Sequence, residues 1–295
     1  MSDFILSACS TADISKEHFE KRNIKYTCYH YNLGGTDYID DLGESVPYND
    51  FYARMVAGED TRTSQINVDE YINYFRGFLE NGKDVLHLTL SSGLSGSYNS
   101  ARNAAEILKE EFPDRKLYVV DSLGASSGYG LFIDKLADLR DEGKDIDEIK
   151  TWAEEKRLNL HYWFFSTDLT FYVKGGRVSK VSGFFGGMLG ICPLLNMNYE
   201  GRLVAREKIR SKKKVIATIV DKMEKHCKDG LDYNGKCYIC HSDCIDDAKE
   251  VKRLVEERFK KLDGGAEINW IGTTIGSHTG PGTVALFFWG DERKD

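Results

Sequence analysis

The chain has 295 residues, a formal net charge of −7 and 41% hydrophobic residues. That length suits two cores better than one, and the acidic balance argues against nucleic acid as a main partner, because neutralising phosphates requires a surplus of Lys and Arg. No apolar run nears the roughly 20 residues that span a bilayer, the start has no basic n-region, and seven scattered cysteines do not read as a disulfide framework, so the expectation is a soluble, reduced, cytoplasmic protein with no transmembrane segment.

Phe4–Ala8 reads as a short strand. Asp69–Leu79 has an amphipathic helical pattern, closed by the C-cap pair Asn81-Gly82. Asp84–Leu90 is a strand, Ser100–Glu110 a helix, Leu117–Val120 a strand, and Gly130–Arg140 a helix that stops before Gly143. This alternation implies a parallel sheet flanked by helices. Ile146–Arg157 reads as a helix with Asp145 near its N-cap, and His161–Ser166 as a strand. The pattern then changes. Lys174-Gly175-Gly176-Arg177 interrupts the chain, and Gly183–Gly190 is a Gly/Phe-rich apolar stretch.

Ile191–Met197 and Leu203–Lys208 read as a hairpin around Glu200-Gly201. Two helices follow, one with Val215, Ile216, Ile219, Val220 and Met223 on a face, the other with Ala248, Val251, Leu254, Val255, Phe259 and Leu262. Cys237–His241 is a strand between them. Glu267–Thr273 and Thr283–Trp289 are expected to close the chain as a hairpin. The expected fold is α/β with two domains, residues 1–160 and 161–295, with room for the C-terminal segment to cross back.

Three polar loops carry the candidate chemistry: Thr63-Ser64-Gln65, Ser91-Ser92-Gly93-Leu94-Ser95-Gly96-Ser97, and Gly276-Ser277-His278-Thr279-Gly280-Pro281-Gly282. The second leaves the carboxyl end of a strand and enters a helix, where open α/β sheets place ligands. Its glycines permit close backbone approach, and its hydroxyls and the helix start favour an anion. The plain alternative is a flexible turn that caps a helix. In the third loop a histidine among glycines has little local core to fill and can donate to an anion; the alternative is an exposed surface residue.

Taken together, the loops resemble the DegV family, the fatty-acid-binding subunits of bacterial fatty acid kinase. The matching segments are Thr63-Ser64-Gln65, Leu90 to Tyr98, Val120-Asp121-Ser122, Gly175-Gly176-Arg177 and Ile275–Gly282, with Cys9-Ser10-Thr11-Ala12-Asp13 similar to the family's N-terminal loop. The likeness covers nearly the whole chain. It implies a parallel-sheet N-terminal domain, a mixed α/β C-terminal domain and a lipid pocket between them. It also implies a long-chain fatty acid as ligand, no cofactor, and a separate ATP-dependent fatty acid kinase catalytic subunit as partner, so that the chain is not catalytic alone.

By motif, Thr63, Ser64, Ser95, His278 and Thr279 would hold the carboxylate. Ser92, Gly93, Phe184, Phe185, Met188 and Leu189 are expected to line the pocket, the four apolar ones having ordinary core packing as their alternative. The resemblance places Arg177, Arg206 and Arg210 near the kinase-docking surface. The sequence departs from the family at Ile66, where proline is usual, at Cys9, where aspartate is usual, and at Cys192, where lysine is common. The two cysteines are expected to alter polarity at the pocket mouth or the pairing with a kinase.

Cys237-Tyr238-Ile239-Cys240-His241 matches a C-x-x-C-H haem pattern, and Cys244 adds a thiol. The segment alternates like a buried strand and lacks a second Cys pair at finger spacing, so structural cysteines are expected and no metal. The competing enzyme reading is a serine hydrolase or acyltransferase using Ser95 or Ser92 with His278 as base. It lacks an evident carboxylate to orient the histidine.

Overall fold

The computed structural model describes residues 4–178 and 190–294. The chain opens with strand β1 (Phe4–Cys9), helix α1 (Lys16–Lys21) and strand β2 (Ile24–Thr27). An excursion follows, made of β3 (His30–Leu33), β4 (Thr36–Ile39), α2 (Tyr48–Val56) and β5 (Thr61–Ser64). Then come α3 (Val68–Leu79), β6 (Asp84–Thr89), α4 (Ser97–Glu111), β7 (Leu117–Asp121), α5 (Ser126–Asp141) and α6 (Ile146–Lys156). Reciprocal capping boxes start α3 at Asn67 and Glu70 and α6 at Asp145 and Glu148.

The first sheet has the order β2-β1-β6-β7, and every neighbouring pair is parallel. Its strands read as near-continuous apolar runs because helices cover both faces. Helix α5 is buried around most of its circumference, as a helix packed between layers must be. One side of it meets β1, and the other meets the second sheet through the strands β8, β11 and β13 defined next.

The second sheet is built from β8 (Leu160–Ser166), β9 (Ile191–Met197), β10 (Leu203–Arg210), β11 (Cys237–His241), β12 (Ala266–Trp270) and β13 (Thr283–Trp289). Four helices accompany it: α7 (Thr170–Lys174), α8 (Lys212–His226), α9 (Ile245–Arg258) and α10 (Thr273–Thr279). The strand order is β10-β9-β8-β13-β11-β12, with β11 and β12 parallel and the other pairs antiparallel. Side-chain alternation divides its residues between two cores. Trp163, Phe165, Val284, Leu286 and Phe288 pack with Val215, Ile219 and Val251 under α8 and α9. Tyr162, Phe164, Ala285 and Phe287 face the other way, into the core that α5 shares.

A small antiparallel sheet, β4-β3-β5, packs with α2 and α10 around Tyr31, Leu33, Phe51, Tyr52 and Met55.

The structure corrects four readings. The two closing strands are not a hairpin: β12 is an edge strand parallel to β11, joined to it through α9, while β13 lies between β8 and β11. The β11–α9–β12 crossover requires this, and α10 then carries the chain back across the sheet. The segment Gly276-Ser277-His278-Thr279 is the body of helix α10, not a loop. Thr63 and Ser64 sit on strand β5. Helix α9 ends at Arg258, so Leu262 lies beyond it.

Candidate ligand-binding site

Between the first and second sheets lies a cavity of about 460 Å³, within the roughly 300–1,000 Å³ usual for small-molecule sites. The inward face of the second sheet forms one wall, with Tyr162, Phe164, Met197, Leu203, Ala285 and Phe287. Leu90, Leu94, Ala125, Ile271 and Ile275 add further apolar surface.

The polar groups come from four places. Strand β5 brings Thr63 and Ser64, the loop before α4 brings Ser95, α10 brings His278 and Thr279, and the turn after α7 brings Arg177. His278 Nε2 lies 2.8 Å from Thr63 Oγ1. Its other ring nitrogen, Nδ1, is buried without a partner. This nitrogen is turned toward Gly175 rather than the open cavity. Tyr29 donates its hydroxyl to Ser95 Oγ at 3.3 Å, and the Ser97 N–H donates to the same oxygen at 3.2 Å. Gly175 is required here, because a Cβ on it would stand 2.4 Å from His278 Nδ1.

The electrostatics follow from burial. Desolvation, then repulsion from Arg177, pushes the His278 imidazole down to about 4. It is therefore neutral at physiological pH, with one N–H to donate. Burial also lowers Arg177, which stays a cation and whose charge reaches both His278 and Tyr29. One cation and several neutral donors thus face an otherwise apolar chamber. That is an arrangement for an anionic head on a hydrocarbon body.

Two buried carboxyl groups lie under the start of α10: a Cβ on Gly272 would stand 2.6 Å from Asp13 Oδ1 and 3.8 Å from Asp40 Oδ1. Asp40 accepts from Ser10 Oγ, and Asp13 accepts from Ser126 Oγ. Burial raises both carboxyls above their ordinary range, Asp13 by far the more.

The chain matches the model of the DegV family, described as uncharacterised proteins, over residues 9–291. A DegV domain-containing protein of Clostridium perfringens is 34% identical over 100% of both chains. The chain belongs to the DegV family. Among solved structures, a fatty-acid-binding DegV protein of Thermus thermophilus is 27% identical, with a TM-score of 0.86 over 98% of this chain and 100% of its own. The fatty acid kinase B3 protein of Streptococcus pneumoniae, loaded with linoleic acid, has the same fold at 24% identity, with a TM-score of 0.83 over 99% of this chain and 100% of its own.

Within this DegV chain, Thr63, Ser64, Ser95, His278 and Thr279 all line the cavity. Ser92 and Gly93 are not among its lining residues. The Ser92 N–H donates to Asp121 Oδ1, and Gly93 packs against the carbonyls of Glu200 and Gly201, so the first half of that loop docks onto the β9–β10 turn. Phe184, Phe185, Met188 and Leu189 lie outside the described residues. Arg177 stands on the cavity wall itself. Arg206 is the extra residue of a β-bulge in β10 and donates to Asn196 Oδ1, and Arg210 ends the same strand.

Cys9 and Cys192 do not line the cavity. Cys9 Sγ lies 3.4 Å from Tyr71 Oη and 3.6 Å from His87 Nε2, and burial pushes its thiol up to about 11. Cys192 belongs to the core under α8. Cys237 and Cys240 lie on opposite faces of β11, so they cannot share a metal. Sequence reading missed Tyr29, Tyr162, Phe164, Tyr172 and Phe287 as wall residues. For Tyr162 and Phe164 the signal was present, as the even-numbered positions of an alternating strand. Among the described residues no carboxylate hydrogen-bonds His278, and its Nε2 engages Thr63 rather than Ser95. A Ser–His pair of the hydrolase kind is not assembled.

Proposed function

We propose that this protein holds a long-chain fatty acid in the cavity and presents its carboxylate to a separate ATP-dependent fatty acid kinase catalytic subunit. On this reading it supplies binding and orientation, and the partner supplies phosphoryl transfer in the cytoplasm. The observation that carries the proposal is the convergence of Thr63, Ser64, Ser95, His278, Thr279 and Arg177 on one otherwise apolar chamber. The tail is stabilised by about 0.8 kcal/mol per buried CH₂. The head is held by Thr63, Ser64, Ser95, His278 and Thr279, with Arg177 offsetting the cost of desolvating the anion. Arg177, Arg206 and Arg210 also form the proposed docking surface for the kinase. The two domains are taken to meet near residue 160, with the cavity between them.

The fatty-acid-binding Thermus relative and the linoleic-acid-loaded kinase subunit support this reading. Native mass spectrometry of the chain from a bacterial host should show a bound fatty acid. Delipidated protein should bind a long-chain acid well and its methyl ester at least tenfold more weakly. Equal affinity for acid and ester refutes the carboxylate site, and absence of any lipid binding refutes the whole reading. Phosphorylation of the bound acid on adding a fatty acid kinase catalytic subunit and ATP tests the presenting role separately.

A further inference from the structure

Away from the cavity, three potential metal ligands converge at the end of the second sheet. His161 lies on β8, His226 is the last residue of α8, and Asp291 follows β13. His161 Nε2 is 2.8 Å from Asp291 Oδ1, and His226 Nδ1 is 3.3 Å from each Asp291 carboxylate oxygen. One atom from each of the three residues lies within 4.8 Å of the other two. Donors bound to zinc at about 2.0–2.1 Å with tetrahedral angles stand about 3.3 Å apart, so the two edges that meet at Asp291 are near that spacing, and the edge between the two histidines has to close from within 4.8 Å.

The backbone fixes the triangle. The Asp291 N–H donates to the His226 carbonyl at 2.9 Å, the Gly290 N–H to Asn159 O at 2.7 Å, and Cys227 bridges Gly290. The rings are also held: the centroid of His161 lies 5.2 Å from that of Phe288 and 5.1 Å from that of His226, and His226 lies 5.8 Å from Trp163. These apolar neighbours lower the local dielectric and strengthen a cation's bonds to its ligands. Asp291 is exposed, which leaves a path for the ion and open positions for water. Calcium and magnesium prefer oxygen-only ligands, whereas two imidazoles with one carboxylate suit zinc and its transition-metal neighbours.

We propose that His161, His226 and Asp291 form a binding site for a divalent transition metal, with zinc the best fit. On binding, the metal replaces the proton that His161 Nε2 shares with the carboxylate and, at 3.0 Å, the backbone carbonyl of Asp291; that proton moves to Nδ1 of the same ring or to solvent. The ion then cross-links β8, α8 and the segment after β13. Two residues further on, Arg293 donates to the carbonyls of Leu123, Arg157, Met197 and Asn198 and stands 5.0 Å above the ring of the cavity-wall residue Tyr162. A metal here therefore fastens the segment that braces the cavity wall.

The test uses the full chain, free of any polyhistidine tag, stripped with chelator and titrated calorimetrically with Zn²⁺ under a non-thiol reductant, with Mg²⁺ as control. One zinc per chain is expected. His226→Ala and Asp291→Asn should each weaken binding at least tenfold, since loss of even an outer-shell partner costs about 10–100-fold. Cys244→Ser should leave it unchanged. Zinc should raise the thermal midpoint of the parent chain but not that of His226→Ala, with circular dichroism confirming that the variant folds. Absence of zinc binding, parent-like affinity in both site variants, or binding abolished by Cys244→Ser alone overturns the proposal.

Discussion

Replacing His278 with Gln isolates the imbalance built into the candidate site. The folded chain holds this imidazole down at about 4, chiefly through burial, against an ordinary value of 6.5. Between those values the unfolded chain binds a proton that the folded chain excludes, so stability is full above pH 6.5 and is lost as pH falls towards 4. For a site with these two values, going from pH 7 to pH 5 removes about 2 kcal/mol, and the loss levels off near 3 kcal/mol below pH 4. Gln keeps a donor beside Thr63 but does not titrate. Urea melts of delipidated protein at the two pH values should therefore show a parent chain about 2 kcal/mol more acid-sensitive than the variant. His87 and His241, pushed by burial down to about 3 and about 4, titrate in both proteins and cancel from the difference. Saturating long-chain acid should flatten the parent's slope, because a carboxylate beside the ring favours the imidazolium. Identical acid slopes in parent and variant refute the assignment of an excluded proton to this site.

Three further outcomes are expected. Gly175→Ala puts a methyl 2.4 Å from His278 Nδ1 at a backbone position free of strain, so fatty-acid affinity should fall about tenfold by fluorescence displacement with little change in the urea midpoint. Arg177→Gln should weaken binding about fivefold, with a smaller salt dependence than the parent, as titrations at two ionic strengths will show. Asp134→Asn should destabilise by about 3 kcal/mol in urea melts: Asp134 is buried on α5 and pairs with His18, Arg22 and Lys236, so its loss leaves two half-buried cations short of a partner.

The parallel sheet and its helices were legible because their signals are local. Asn67 with Glu70 and Asp145 with Glu148 are capping boxes three residues apart, and the apolar faces of α8 and α9 repeat at helical spacing. The excursion from β3 to β5 was not legible. Its strands are four residues long, and its core of Tyr31, Phe51 and Tyr52 closes only when α10 arrives from the far end of the chain. The cavity wall was half legible, since alternation separates Tyr162 and Phe164 from Trp163 and Phe165 but does not say which pair faces a ligand.

Helix α10 shows why the candidate site could be named from sequence before its geometry could be drawn. Thr273 to Thr279 is rich in Gly, Ser and Thr, residues that favour turns over helix interiors when nothing else decides. Here the tertiary setting decides. Asp13 and Asp40 are buried under its start, and Gly276 lies so close to α2 that a Cβ would stand 2.5 Å from Tyr52 Oη and 3.0 Å from Phe51. That glycine allows close packing rather than flexibility. Gly280, at φ 66°, then ends the helix one residue after Thr279. The same close packing gives His278 its particular chemistry. An imidazole on a mobile loop would keep its ordinary affinity for protons, whereas one carried by a helix pressed against α2 is held neutral by burial.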